Sequence, residues 1–329
     1  MKLAVVILNW NGKQLLEQFL PSVVKHSQEA DIYVADNAST DDSIAFLSKV
    51  FPVIQIIQNA ENGGYAKGYN DALKHIEADV FCLLNSDVEV TKNWLAPIIN
   101  TFKSEVSTAI IQPKILDYKK KDHFEYAGAA GGFIDKYGYP YCRGRIFDTV
   151  EKDNGQYDDS VDILWASGAC LFIRKRVFNQ LNGFDESFFA HMEEIDLCWQ
   201  AKNLEYDIKY VATSTVYHLG GATLNASNPK KTYLNFRNNL FILIKNAKRN
   251  LFLLIFTRLL LDGLAGLKFL TQLKLNHIIA ILKAHFSFYK YLPQLLKKRK
   301  ELKQSSNYYK KTSIIWLYFV KNKKTYKSL

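Results

Sequence analysis

The sequence predicts an α/β protein with a mostly parallel central sheet flanked by helices, followed by an amphipathic helical region. In the N-terminal third, strand-length apolar runs alternate with segments of helical period. Each run ends in a polar cluster rich in Asn, Asp, Ser and Gly. Near residue 239 the chain changes character, and an acidic balance gives way to a strongly basic one.

The run LAVVIL (3–8) is continuously apolar, as expected of a strand buried on both faces. NWNG breaks it, and Leu15, Leu16, Phe19 and Leu20 then mark an amphipathic helix. DIYVAD (31–36) is the next strand, ended by NASTDD, where Ser39 or Thr40 is the candidate helix N-cap. VIQII (53–57), the Gly-rich NGGYAKGYN (62–70), a helix to about Ile76 and DVFCLL (79–84) continue the alternation. That rhythm implies parallel pairing through right-handed crossovers. After TAIIQP (108–113), residues 124–160 are rich in Gly, Tyr and Asp without helical period, and read as hairpins and loops. WASGACLFI (165–173) and YDIKYV (206–211) are further strands. From about Tyr233 the chain becomes long helices rich in Leu, Phe and Lys.

At 329 residues, with 48% apolar and 23% charged side chains, the chain can bury a full core and is not disordered. From Leu240 onward there are 19 Lys and Arg against two acids, a net of +17. Residues 1–239 carry 24 basic and 30 acidic side chains, a net of −6. The basic charge therefore belongs to the tail, and an acidic body excludes nucleic acid as the partner of the whole. Cys82, Cys142, Cys170 and Cys198 lie in or beside apolar segments without CxxC spacing, which implies buried free thiols. The short N-terminal apolar run reads as a strand and not a signal peptide, so the expected location is cytoplasmic.

Ligands of open parallel sheets bind beyond the carboxyl ends of the strands. Polar clusters fall there four times, at Asn9 to Gly12, Asp36 to Asp42, Asn62 to Asn70 and Asn85 to Glu89. Turn chemistry explains any one of them; four along one edge favour a polar ligand such as a nucleotide. Neither GxGxxG nor GxxxxGK[ST] is present, which argues against a dinucleotide site and an NTPase phosphate loop. FFAHMEEIDLCWQ (188–200) sets Glu193, Glu194 and Asp196 against residues with the look of a buried helix face. A helix N-terminus welcomes acids, but burial demands a partner or a function. Asp87 after a buried strand can hold a hard cation, and His218 in VYHLGG can supply a second ligand; singly, each is more often structural.

The ordered motifs VVILNWNG, VADNASTD, NGGYAKGYN, LLNSDVEV, WASGACLFIRK, GFDESFF, MEEIDLCWQ and VYHLGG resemble those of family 2 glycosyltransferases, in the rhamnosyltransferase-like branch. The resemblance covers residues 3 to about 240 and implies the GT-A, or nucleotide-diphospho-sugar transferase, fold. A catalytic domain is expected over 1–238 and a basic amphipathic helical region over 239–329. The implied activity is inverting transfer of a sugar from a UDP- or dTDP-linked donor to a hydroxyl of a glycan or lipid-linked glycan acceptor, assisted by Mg²⁺ or Mn²⁺. By the resemblance, Asp36 contacts the nucleotide base, with Asn9 and Asn11 beside base and ribose. LLNSDV matches the metal motif usually written DxD, with Asn85 in place of its first acid, Asp87 as the metal-binding one and His218 as a further ligand. Glu194 stands where an Asp usually serves as catalytic base, with Glu193 and Asp196 shaping the site. Asn62, Gly64, Lys67 and Asn70 lie in the motif that meets the donor. Tyr69 replaces an Arg usual before Asn70, so any phosphate contact from that position passes to Lys67. Trp165, Ser167 and Gly168 match the floor of the sugar and acceptor site, and Arg237 is placed to reach the diphosphate or an anionic acceptor. Two alternatives remain open, a nucleotidyltransferase acting on sugar phosphates and a non-catalytic nucleotide-sugar-binding module.

In the tail, LFILI and LFLLIF are interrupted by Lys245, Lys248, Arg249, Arg258, Asp262 and Lys268, leaving no run near the roughly 20 apolar residues of a spanning helix. Interfacial helices fit better, with Leu and Phe toward acyl chains and Lys and Arg toward anionic headgroups. The enzyme would then be peripheral on the inner face of the cell membrane. The competing expectation is that the helices pack on the body or on a second copy in a homo-oligomer.

Overall fold

The computed structural model describes residues 1–220, 228–305 and 307–329. The core of the sheet follows from the apolar runs. Strands β1 (Leu3–Asn9), β2 (Asp31–Asp36), β3 (Gln55–Gln58) and β4 (Val80–Asn85) pair in parallel in the spatial order β4, β1, β2, β3. Helices α1 (Lys13–His26), α2 (Ser43–Val50) and α3 (Gly64–Leu73) make the crossovers. Every residue of β1 except half-buried Leu8 is buried, because helices cover both faces. After β5 (Val88–Val90) and α4 (Leu95–Ser104) comes β6 (Thr108–Asp117), nine of whose ten residues are buried.

Residues 124–160 do form short hairpins: β7 (Gly132–Ile134), β8 (Pro140–Cys142), β9 (Arg145–Ile146) and β10 (Thr149–Val150) build a separate antiparallel sheet. β11 (Val161–Asp162), β12 (Cys170–Arg174), α5 (Lys175–Gln180), α6 (Glu193–Asn203) and β13 (Asp207–His218) complete the body. β12 runs antiparallel between β4 and β6, while β13 lies parallel to β6 and antiparallel to β5 and β11. The sheet is therefore mixed on this side and parallel on the other. The four cysteines are free and buried, as expected.

Three helices follow, α7 (Pro229–Asn246), α8 (Leu251–Thr271) and α9 (Leu275–Glu301). The expected domain boundary at 238/239 falls inside α7, a helix buried along most of its length. Phe241, Phe288, Leu295, Tyr308, Ile314 and Tyr318 join Phe81, Trp165 and Trp199 in one apolar cluster. The helices and last residues thus share one apolar cluster with the body, across the boundary expected at 238/239. The N-cap expectation at Ser39 or Thr40 is corrected. Asp42 occupies the cap position of α2, and the Ser39 hydroxyl donates instead to Asp36 at 2.6 Å.

Candidate active site

The parallel register brings the ends of β1 and β2 together, with Asn9 opposite Asp36. Asn9 Nδ2 donates to Asp36 Oδ1 at 2.9 Å, and the backbone N–H of Ser39 donates to Oδ2 at 2.9 Å. Both groups are buried, and Asn9 Oδ1 has no partner within the protein. An unmet buried acceptor at the carboxyl edge of a sheet is a feature a ligand can satisfy. Asn11, at positive φ, accepts from the backbone N–H of Thr40 at 2.7 Å and so ties the β1 loop to the β2 loop. Trp10, between these asparagines, is half exposed although large and aromatic.

The motif NGGYAKGYN forms the entry and first turns of α3. Asn62 Oδ1 accepts from Asn37 and from the backbone N–H of Gly64. Gly64 has φ +82°, and a Cβ there would stand 2.5 Å from the Phe189 carbonyl oxygen, so only glycine lets this turn meet the 188–192 loop. Lys67 pairs with Asp71 at 2.5 Å and lies 3.8 Å from Glu61. Asn70 donates to the Phe184 carbonyl and accepts from the Phe184 N–H, both at 2.9 Å. In this conformation Lys67 is engaged by acidic neighbours and Asn70 ties α3 to the Phe184 backbone.

The strongest arrangement follows β4. Asn85 ends the strand half buried, and its N–H donates to the Ala169 carbonyl. Antiparallel pairing of β5 with β13 sets His218 opposite Val88, which brings the imidazole to Asp87. His218 Nε2 lies 3.1 Å from Asp87 Oδ1, and its Nδ1 lies 3.3 Å from Glu125 Oε1, a charge contact without good hydrogen-bond alignment. All three side chains are buried. Burial opposes charge on His218, but Glu125 and Asp87 outweigh it and push the imidazole up to about 10. Glu125 gave no signal in the sequence. It reaches the site because residues 118–124 fold back on β6, where the Glu125 N–H donates to Ile115 and Oε2 accepts from Ala127. Among the described residues, no group of three or more His, Cys, Asp or Glu could hold a metal ion. Two adjacent ligands of one ion at about 2.1 Å are roughly 3 Å apart. The Asp87–His218 separation suits an ion pair as well as two ligands of one cation, which they would hold only once Nε2 gives up its proton; Glu125 meets the far side of the ring. The last Gly of VYHLGG, Gly221, lies outside the described residues.

The acidic cluster begins α6, entered through a loop with Phe189, His191 and Met192 all at positive φ. Three such non-glycine residues so close together persist only where the surroundings enforce them. Enforcement comes from α7. Asn238 Nδ2 donates to the carbonyls of Phe188, Ala190 and His191, while Arg237 donates to those of Ser187 and Phe188. Arg237 is thereby buried against these carbonyls, and in this conformation it holds the loop instead of facing an open site. Asp196 is likewise no open acid. It accepts from Lys245 at 2.5 Å, Asn246 at 2.7 Å and Gln200 at 2.7 Å, and fixes α6 to α7.

Glu193 and Glu194 differ. Glu193 is buried, its Oε2 unpartnered, and burial followed by the neighbouring Glu194 pushes its carboxyl well up. Glu194 keeps partial access, and burial pushes it up to about 7 against backbone hydrogen bonds that favour the anion. Tyr65, absent from the sequence reading, connects this cluster to the floor: its hydroxyl donates to the Gly168 carbonyl at 3.0 Å, and burial, then Tyr69 and the two glutamates, push its phenol up. Ser167 and Trp165 lie beneath the surface. The Ser167 N–H donates to Gln112, and Trp165 Nε1 donates to the Phe133 carbonyl while its ring packs against Gly132. Of that trio only Gly168 lies beside the acids' neighbour Tyr65, so the expectation of direct ligand contact from Trp165 and Ser167 is corrected to support from below.

A mixed sheet with polar edges, a buried Asp–His pair and an acid-headed helix defines a GT-A glycosyltransferase. Solved structures agree. A GalNAc-T7 structure with UDP, GalNAc and Mn²⁺ superposes at TM-score 0.59 and 17% identity over 74% of this chain, which spans about half (48%) of that one. A mannosyltransferase from Pyrobaculum calidifontis, in complex with GDP-Man and Mn²⁺, gives 0.54 at 11% identity, covering 91% of this chain and 73% of that one. The family model of glycosyl transferase family 2 matches residues 4–181, and the chain belongs to that family. The low-salt glycan biosynthesis hexosyltransferase Agl10 of Haloferax volcanii is 23% identical over 72% of this chain and 73% of its own. The N-acetylglucosaminyl-diphospho-decaprenol L-rhamnosyltransferase of Mycobacterium tuberculosis is 23% identical over 66% and 75%. The protein is thus a glycosyltransferase that uses a nucleotide-sugar donor, and the nucleotidyltransferase and non-catalytic alternatives fall away.

Proposed function

We propose that this enzyme moves a sugar, with inversion, from a UDP- or dTDP-sugar to a hydroxyl of a lipid-linked glycan at an anionic membrane surface. The carrying observation is Glu194, a partly accessible carboxyl at the head of α6, held near neutrality by burial. A group that titrates near working pH is suited to accept the acceptor's proton as its oxygen attacks the anomeric carbon. In that displacement the new carbon–oxygen bond forms from the acceptor side while the bond to the diphosphate breaks, and its electrons leave with the nucleotide. Glu193, whose acidity burial weakens, resists placing a second negative charge beside Glu194. Asp36 and Asn9 would meet the base, and Asp87 and His218 would hold Mg²⁺ or Mn²⁺. When bound, such an ion supplies charge neutralisation for the leaving diphosphate. The lipid-linked acceptor is supported by the mycobacterial relative, whose name describes an N-acetylglucosaminyl-diphospho-decaprenol substrate.

The test is thermal shift against UDP- and dTDP-sugars with and without Mn²⁺, followed by transfer or hydrolysis of the donor that stabilises. A donor that stabilises only with the metal, and turns over only with Glu194 intact, is the expected result. Stabilisation and turnover indifferent to EDTA would remove the metal from the reading.

A further inference from the structure

Helix α8 is built inside out. Between Leu251 and Leu267 its only charged residues are Arg258 and Asp262, and both are buried. Arg258 Nε donates to Asp262 Oδ1 at 2.8 Å, its guanidinium stacks 3.8 Å over Tyr139, and His285 of α9 lies 3.2 Å from Asp262. The side chains turned outward are apolar instead. Phe252, Phe256, Leu260, Leu264 and Leu267 recur at three- and four-residue spacing, each more than half exposed. Over those 17 residues, about 25 Å of helix, every exposed residue is apolar or glycine. A surface helix normally shows the opposite pattern, and a contiguous apolar face of this length marks an interaction site.

Helix α9, packed against α8, carries an exposed apolar stripe of its own. Leu275, Ile279, Leu282 and Phe286 form an exposed stripe of the same spacing, flanked by exposed Lys283, Lys290 and Lys297 at seven-residue intervals. Trp316 and Phe319, also about half exposed, belong to a short turn whose Phe319 ring lies 5.0 Å from Lys268 of α8. No helix among the described residues is long and apolar enough to cross a membrane.

We propose that the outer face of α8 and α9 enters the acyl boundary of a membrane monolayer lying flat, with the α9 lysine row at the headgroups. This rests on the membrane reading above and changes its physical basis. Arg258, expected to reach headgroups, faces inward, so apolar insertion binds the surface and charge only selects it. A second copy of the chain fits the face poorly. The sole acid between Leu251 and Lys300 is the buried Asp262, so pairing two copies through it would set lysine rows together with no exposed acid to meet them.

The test is co-sedimentation of the full chain with vesicles of phosphatidylcholine alone and of phosphatidylcholine with phosphatidylglycerol, at low and high salt. The wild type should bind both, more tightly to the anionic vesicles, and retain binding to neutral ones at high salt. Phe256→Asp with Leu264→Asp should weaken binding to both by about a hundredfold, since each buried side chain is worth roughly tenfold. Lys283→Glu with Lys290→Glu should remove only the anionic preference. A Leu260→Cys chain carrying an environment-sensitive dye should shift to the blue on neutral vesicles, which reads insertion without a disruptive variant. No binding to neutral vesicles, an unshifted dye, or a solution dimer dissolved by the aspartates would overturn the proposal. UDP- and dTDP-sugar thermal shifts on the same proteins, without lipid, read the donor site separately.

Discussion

Glu194 titrates near neutrality because burial costs its anion more than the backbone hydrogen bonds at the α6 N-terminus return. With Glu194 as the proposed base, transfer needs that anion, so kcat/KM should rise with pH and level off above an apparent pKa of about 7. Stability runs the other way. A carboxyl whose folded pKa exceeds its unfolded value favours folding at low pH, and that contribution is lost as pH rises from about 4.5 through 7. Glu194→Gln should therefore lose turnover by about 10²-fold or more. It should also raise stability at pH 8 by on the order of 2 kcal/mol, discounting for partial exposure. Calorimetric melts at pH 5 and pH 8, beside activity, check both halves; a variant with a tenth or more of wild-type turnover refutes the base. Glu125 makes a separable prediction. It touches neither donor nor acceptor in the proposed reading; its carboxylate meets the far nitrogen of His218 and the Ala127 N–H. Glu125→Gln should weaken Mn²⁺-dependent UDP binding by about 10–100-fold and leave metal-free UDP binding unchanged. Titration calorimetry with and without Mn²⁺ decides; equal losses in both would make Glu125 merely structural.

Helix α7 explains what the sequence could and could not reveal. The acids at 193, 194 and 196 stood out because carboxylates beside apolar residues demand a reason, and the strand ends stood out because turn residues punctuate apolar runs. What partnered the acids was illegible, since Lys245 and Asn246 meet Asp196 across 49 and 50 residues. A buried lysine looks the same in sequence as a solvated one. The hold of Arg237 on the loop was illegible for the same reason, because loop carbonyls leave no trace in composition. Lys245 lies between Asp196 and Asp185, with Lys298 of α9 on the other oxygen of Asp185. Removing the inner cation strands a buried carboxylate. Lys245→Met should cost about 3–5 kcal/mol near neutral pH. The deficit should shrink as pH falls, because protonating Asp196 removes the uncompensated charge. Adding Asp196→Asn should restore much of the loss, and denaturant unfolding of single and double variants measures it. If the double variant is no better than Lys245→Met alone, the ion pair is not what α7 contributes.

At the scale of the molecule, contacts cross the charge break near residue 239, and we propose that body and tail fold as one unit. The sequence shows charge, whereas the fold is held by contacts that cross the break. The last residues return to the small sheet of the body: the Ile314 N–H donates to Asp135 at 2.9 Å, the Tyr308 hydroxyl to the Lys136 carbonyl at 2.7 Å, and Tyr326 stacks on Phe133. Trp199 of α6, the helix that carries Glu194, packs on Tyr308 with ring centroids 4.4 Å apart. A chain ended after Asn246 would lose Phe288, Leu295, Tyr308, Ile314 and Tyr318 from the shared core. Each large buried side chain is worth about 1.5–3 kcal/mol, so five are together worth about 7.5–15 kcal/mol, comparable to the roughly 5–15 kcal/mol margin of a typical domain. Such a truncation should be insoluble or molten and inactive toward soluble acceptors, even in detergent. The full chain should melt in one calorimetric transition, with UDP and Mn²⁺ raising all of it. Two transitions, only the first moved by nucleotide, together with a soluble truncation that binds UDP, would restore the tail to the status of a separate region.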